Sequence, residues 1–402
     1  MTSYELREHK VKHLSTVPAT EDVEIELAVR EYDGTPTGQD REPVLMLHGR
    51  SVPALPGFDL APVPGGDPNR YSWAQELAQA HYDVFIMDLQ GSGRSTRPGP
   101  MDDPCNANPA QQQPVLVDHT IPAPCPPQYT SELGNAESDG AELAAVVKFI
   151  KSQVGTGKRI RFVGWSAAAF VMGPYTLQHP DDVESLFLIA PMFPPRGRWS
   201  GKTEDPFGRP PGVTTLPVGQ PPNQFGFPMN VGSKGGFTRP LTGPLWEAGI
   251  GERVWAACME VDPVGSKWGP QTNGDYEGVL RYRNTYWWGW NSKTVPHMSE
   301  GRHVLGDRVP VLILYGELDR TANTQTSMPD DLYFSVPDLY AAIGGSEKLM
   351  FCFEASSHSL VWETTAQAIH HYSKHWFKNG KVEGVSSGKY FRELDGNLIP
   401  VQ

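Results

Sequence analysis

Residues 160–169 read IRFVGWSAAA, and the stretch continues as FVMGPYTLQHP through Pro180. A short apolar run that ends at a glycine is the pattern of a strand buried on both faces. The alanines and the residues after them favour helix. Ser166 therefore sits where a buried strand turns into a helix. Gly164, Ala167 and Ala168 around it are small, as needed when the backbone folds back on itself to push a hydroxyl into the open. A serine at a helix start can also be a simple N-cap, so its partners must be sought elsewhere in the chain.

Working outward, the same rhythm recurs on both sides. Upstream lie two extended segments in residues 4–33, a buried strand VLMLHG (44–49), a helix over 71–80, a second buried strand running into a Gly-rich turn (YDVFIMDLQGSGRS, 82–95) and a helix over 141–153. Downstream come strands at 185–191, 309–319 and 347–358 and a helix over 362–377. Buried strands alternating with helices imply an α/β fold, with a mostly parallel central sheet flanked by helices. The tail after Phe377 reads as a small hairpin or an extended wrap.

Two stretches break the rhythm. Residues 97–130 are rich in Pro, Asn, Gln and Asp. Residues 192–308 begin as a Pro/Gly-rich run and continue into expected helices near 244–262 and 276–290. Insertions this long in a compact domain are usually functional. The expected division is a first core part (1–191) carrying a lip at 97–130, an inserted cap or lid (192–308), and a second core part with the tail (309–402).

The best candidate partners for Ser166 lie at strand ends. Asp319 closes VPVLILYGELD, which places a carboxylate at the rim where open α/β sheets bind ligands; Glu317, two residues earlier, is the competing carboxylate. His358 follows the last core strand in EASSHS, on a loop that can reach back over the sheet to serve as general base and then acid. Of the other eleven histidines, those at 370, 371 and 375 fall on a late helix and read as surface groups.

These stretches, LMLHGR, MDLQGSGRS, VGWSAAA, LYGELD and SSHS in the order Ser, Asp, His, resemble the α/β-hydrolase superfamily. The likeness is to a serine-esterase-like, capped subgroup and covers nearly the whole chain apart from cap and tail. Ala168 stands where the usual G-x-S-x-G motif has Gly. The resemblance implies a Ser166–His358–Asp319 triad. It also implies an oxyanion hole of backbone N–H groups from Ala167 and the residue after His48-Gly49, with Arg50 favoured over Ser51 and His48 a structural neighbour. It implies hydrolysis of a carboxylic ester or lactone through an acyl-serine. A C–C bond hydrolase or lyase on the same triad, and a non-enzymatic binding protein on the same scaffold, are the alternatives. Dehalogenases and epoxide hydrolases of this fold place Asp where this chain has Ser166.

Composition bounds the partners. The net charge of −12 and the lack of a basic stripe argue against nucleic acid. No apolar run reaches the roughly 18–20 residues that span a bilayer. The polar start MTSYELREHK lacks a signal-peptide core, so the expected location is cytoplasmic, or secreted with the signal removed. A small-molecule substrate without metal or cofactor is expected, and the oligomeric state is open. Four cysteines lack zinc spacing. Cys105 and Cys125, both in Pro-rich loop, are expected to form a disulfide, while Cys258 and Cys352 read as packing residues.

The substrate pocket is expected to draw on Trp165 and on the aromatic cluster of Tyr282, Tyr286, Trp287, Trp288 and Trp290. If helical, that segment would put Tyr282 and Tyr286 on one face and Trp287 and Trp290 on another. An aromatic wall favours a medium-sized, mainly uncharged substrate. Arg281 and Arg283 are the exceptions that would bind an acidic group.

Overall fold

The structure, a computed structural model, describes residues 4–195, 226–287, 290, 303–324 and 333–401. Its centre is a ten-stranded sheet. In chain order its strands are β1 (Glu5–Leu14), β2 (Glu24–Asp33), β3 (Pro43–Leu47), β4 (Asp83–Met87), β5 (Ile160–Trp165) and β6 (Val183–Ile189). A separate antiparallel pair follows, β7 (Met229–Ser233) and β8 (Val279–Arg283). The sheet resumes with β9 (Val311–Gly316), β10 (Lys348–Phe353), β11 (Gly388–Arg392) and β12 (Leu398–Pro400). The spatial order is β1-β2-β4-β3-β5-β6-β9-β10-β11-β12. The seven strands from β4 to β11 are parallel, and antiparallel strands close both edges.

The central strands are buried along their whole length, PVLML in β3 being one example. That explains why their sequences run apolar rather than alternate. The main helices are α1 (Trp73–Gln79), α2 (Ala136–Val154), α3 (Ala169–Gln178), α4 (Ile250–Glu260), α5 (Val336–Ala342) and α6 (Ala366–Asn379). Consecutive residues of a strand point to opposite faces, and β6 shows which helices lie where. Phe187 meets Trp73 of α1 and Trp376 and Phe377 of α6. Leu188 faces the other way, towards Gly164 and the α3 layer that holds Met172.

Several expectations need correction. α2 starts at Ala136, before the expected 141. Asn135 and Ser138 form a reciprocal capping box, and a first turn of Glu, Ser and Asp carries no apolar signal. The segment expected as a helix over 276–290 is instead strand β8 and irregular chain, because Val279–Arg283 pairs with Met229–Ser233. Trp288 lies outside the described residues. His370 is buried, not at the surface, and stacks on Trp73. The tail does form a hairpin, β11–β12, and β11 adds a parallel strand beside β10.

The Pro-rich stretch and the β7–β8 pair share a second, smaller core. Met101, Val115 and Ile121 pack there with Met229, Val231, Trp268 and Val279. Short 3-10 turns, each with a proline in its first positions, organise the stretch. The Cys105–Cys125 disulfide closes it. The side chain of Gln112 lies inside this loop and donates to the carbonyls of Cys105, Ala107 and Cys125. The expected lip and the β7–β8 part of the expected cap thus pack around one shared small core. Among the described residues no helix is long and apolar enough to cross a membrane.

Candidate active site

Ser166 follows β5 directly and has φ +57°. A β-carbon is disfavoured there by about 1–2 kcal/mol, so the conformation is held by its surroundings. The crossing is tight. A Cβ on Gly164 would lie 3.2 Å from Leu188 and Met172 and 3.3 Å from Ala168. Ala168 fits where a larger residue would not, which explains why the departure from glycine is tolerated.

His358 connects the other two candidates. Its Nε2 is 2.8 Å from Ser166 Oγ, and its Nδ1 is 2.9 Å from Asp319 Oδ2. Asp319 is fully buried, and its Oδ1 accepts from the amides of Thr321 and Ala322, both at 2.8 Å. The carboxylate is therefore fixed in place. Glu317 is exposed and accepts from the amide of Ala355, so it braces the histidine loop from outside.

Three groups hold that loop: Trp165, expected from the sequence as a pocket residue, and Glu363 and Gly316, which the sequence did not single out. Trp165 Nε1 donates to the His358 carbonyl at 3.2 Å. Buried Glu363 accepts from the Ser357 amide at 2.9 Å. Gly316 leaves room for the loop, since a Cβ there would lie 2.2 Å from the Ser356 carbonyl oxygen. Trp165 is consequently a support under His358, packed edge-on against Trp362, and not a wall of the cavity described below.

The turn after β3 comes up against the serine. A Cβ on Gly49 would be 3.2 Å from Ser166 Cβ and 3.7 Å from its Oγ. His48 is buried, and that burial holds its pKa below the usual histidine range. The Leu89 amide donates to Nε2, so Nδ1 carries the proton and donates to the Gly49 carbonyl at 2.6 Å. In a trans peptide the C=O and the next N–H point in opposite directions. His48 thereby turns the Arg50 N–H away from itself, and that N–H has no protein acceptor among the described residues. Ala167 lies in the first turn after the serine, where N–H groups have no intrahelical acceptor.

A narrow cavity opens beside these groups, lined among others by Gly49, Arg50, Ala167, Val171, Tyr282 and Trp287. Trp287 stacks on Phe170 at 5.4 Å, and its indole N–H donates to Asp139 at 2.9 Å. Trp290 is elsewhere. It is fully buried against Phe193, and its ring fills the space over Gly173, so it is core. Tyr286 is also buried; its backbone bridges to Asn135.

The two arginines of β8 are taken up inside the protein. Arg281 pairs with Asp262 and Asp102. Arg283 pairs with Asp139 and Glu142 of α2. Burial pushes the Glu142 carboxyl up, to about 7, against the pull of Arg283. Glu31, Asp33 and Asp83 converge closely enough to hold a cation, but Arg7 and Arg41 already pair with them.

Residues 42–214 match the sequence model of the α/β hydrolase fold family. No curated protein matches the chain by sequence. Among solved structures it is similar to an epoxide hydrolase from Vigna radiata (14% identity, 94% of this chain and 99% of that one, TM-score 0.47). It is also similar to a serine hydrolase from Cycloclasticus zankles (12%, 94% and 100%, 0.46) and to a thermophilic esterase from Thermogutta terrifontis (14%, 92% and 98%, 0.44). Likenesses this distant carry no argument about substrate. With the parallel sheet, the serine at the turn after β5 and the matched segment all in one chain, the protein has the α/β-hydrolase fold.

Proposed function

We propose that this chain is a serine hydrolase that cleaves a carboxylic ester or lactone through an acyl-serine intermediate. The observation that carries the reading is His358, within hydrogen-bond reach of both Ser166 Oγ and Asp319 Oδ2, at a serine held with positive φ. His358 Nε2 takes the Ser166 proton as Oγ attacks the substrate carbonyl carbon. The carbonyl oxygen becomes an oxyanion, which in this reading is received by the N–H groups of Ala167 and Arg50. Collapse expels the alkoxide, which takes the proton from His358. A water then repeats the sequence in reverse roles, releasing the acid and restoring Ser166. Asp319 holds the Nδ1–H tautomer and stabilises the imidazolium. The segment over the site acts in this reading as the cap, with Trp287 and Tyr282 facing the substrate. A purely binding role is disfavoured, since a binding protein has no need of a strained serine aligned on a carboxylate-held histidine.

The test is Ser166→Ala with a panel of chromogenic esters and a serine-reactive phosphonate. Turnover is expected to fall by about four to six orders of magnitude with the fold intact. Stoichiometric phosphonate labelling at another residue would overturn the reading.

A further inference from the structure

The cavity beside Ser166 has a charge that is at odds with the rest of the molecule. The chain carries a net charge of −12, yet its lining holds two arginines and, among the described residues, no carboxylate. Arg283 is neutralised from behind by Asp139 and Glu142. Arg50 is not. Its guanidinium makes no ion pair and no hydrogen bond among the described residues, and it is exposed. It lies over the face of Tyr282, 5.4 Å from the ring centroid. A ring beneath the guanidinium holds its plane but leaves the N–H donors around the edge unused. A planar, pre-oriented fork of donors is the group best matched to a carboxylate.

Arg50 is also tied to the reacting centre by its own backbone. The preceding residue adjoins Ser166, and His48 fixes the peptide between Gly49 and Arg50. The charged end of this residue therefore stands one side-chain length from the position of the scissile carbonyl.

We infer that Arg50 binds a free carboxylate on the substrate, so that the preferred substrate is an acidic ester or lactone rather than a neutral one. This inference rests on the serine-hydrolase reading. It departs from the uncharged substrate that an aromatic wall alone would favour: the wall desolvates a carboxylate at a cost, and the unpaired guanidinium offsets that cost. A positive charge at the edge of this cavity also attracts an anion towards it.

The experiment uses the full chain and matched pairs of esters. Mono-para-nitrophenyl glutarate is compared with its methyl-capped diester, placing the carboxylate on the acyl arm. Para-butanoyloxybenzoate is compared with its methyl ester, placing it on the leaving arm. The readout is the ratio of kcat/KM, charged over neutral, in the wild type, Arg50→Met and Arg50→Lys, with a neutral fluorophosphonate labelling Ser166 in parallel. In at least one pair the wild type is expected to favour the charged ester by about tenfold or more. That preference should collapse towards unity or below in Arg50→Met whatever happens to the absolute rates, be partly kept in Arg50→Lys, and shrink as salt is raised. If Ser166 labels but neither pair shows a charged preference, or Arg50→Met keeps it, the inference fails while the hydrolase reading stands. Labelling of Ser166 with none of the four esters hydrolysed also overturns it. Absence of both hydrolysis and Ser166 labelling removes the hydrolase reading and the inference together.

Discussion

The indole of Trp287 donates a hydrogen bond to Asp139 at 2.9 Å, and the same carboxylate holds Arg283. A cavity wall is thus anchored to the buried first turn of α2 by a charge that is already paired. Trp287→Phe keeps the ring over Phe170 and loses the hydrogen bond, with an expected stability cost of about 1 kcal/mol. It should shift the ratio of kcat/KM between short and long acyl esters. Trp290→Ala is expected to cost about 3–5 kcal/mol and leave that ratio unchanged, because Trp290 fills core over Gly173. Denaturant unfolding together with ester kinetics separates the two; the opposite assignment of effects would place the wrong tryptophan in the wall.

Asp319 and Glu317 offer a second contrast. Asp319→Asn should reduce kcat/KM on a para-nitrophenyl ester by about 10³–10⁴-fold, since it removes the acceptor that fixes His358 Nδ1. Glu317→Gln, at an exposed brace of the Ala355 amide, should stay within about threefold of wild type. A reversed ranking would mean that the carboxylate seen beside His358 is not the one that serves it.

His370 gives a pH dependence with a definite sign. Burial, aided by nearby Lys374, depresses its pKa from the usual 6.5 to about 3. The unfolded chain therefore binds a proton that the folded chain refuses. Stability from this group is complete above the unfolded value and is lost as pH falls from about 6.5 towards 3, by about 1.4 kcal/mol per pH unit. Unfolding measured from pH 7 to pH 4 should show a slope component that His370→Phe, which keeps a ring on Trp73, removes. An unchanged slope in the variant would contradict the assignment.

The Cys105–Cys125 bridge closes a loop around Gln112. By the chain-entropy relation such a loop contributes about 3 kcal/mol. The double replacement of both cysteines by alanine should lower the melting temperature and loosen the second core with Met229 and Val279. Thiol titration of the unreduced, denatured wild type should find two free thiols, Cys258 and Cys352; four would show the bridge absent.

How much of this was legible beforehand follows the range over which each feature is decided. The strands around the site were readable because burial on both faces forces continuous apolar runs, as in β3 and β5. The strained turn at Ser166 was readable because close crossing there admits only small residues at 164 and 168. The chain order Ser166, Asp319, His358 followed from each lying at a strand end.

The tertiary structure decided what local patterns could not. β8 became a strand and not a helix because a partner strand some fifty residues earlier is there to pair with it. Arg283 was removed from ligand duty by Asp139, 144 residues away in sequence, and His370 was buried by Trp73, on a helix from the other end of the chain. Trp287 and Trp290, three apart, were sent to different jobs by Phe170 and Gly173. Local propensity and periodicity set which elements form, because they act over a few residues. Which side chain is spent inside and which, like Arg50, is left free depends on charges and rings that only the folded chain brings together.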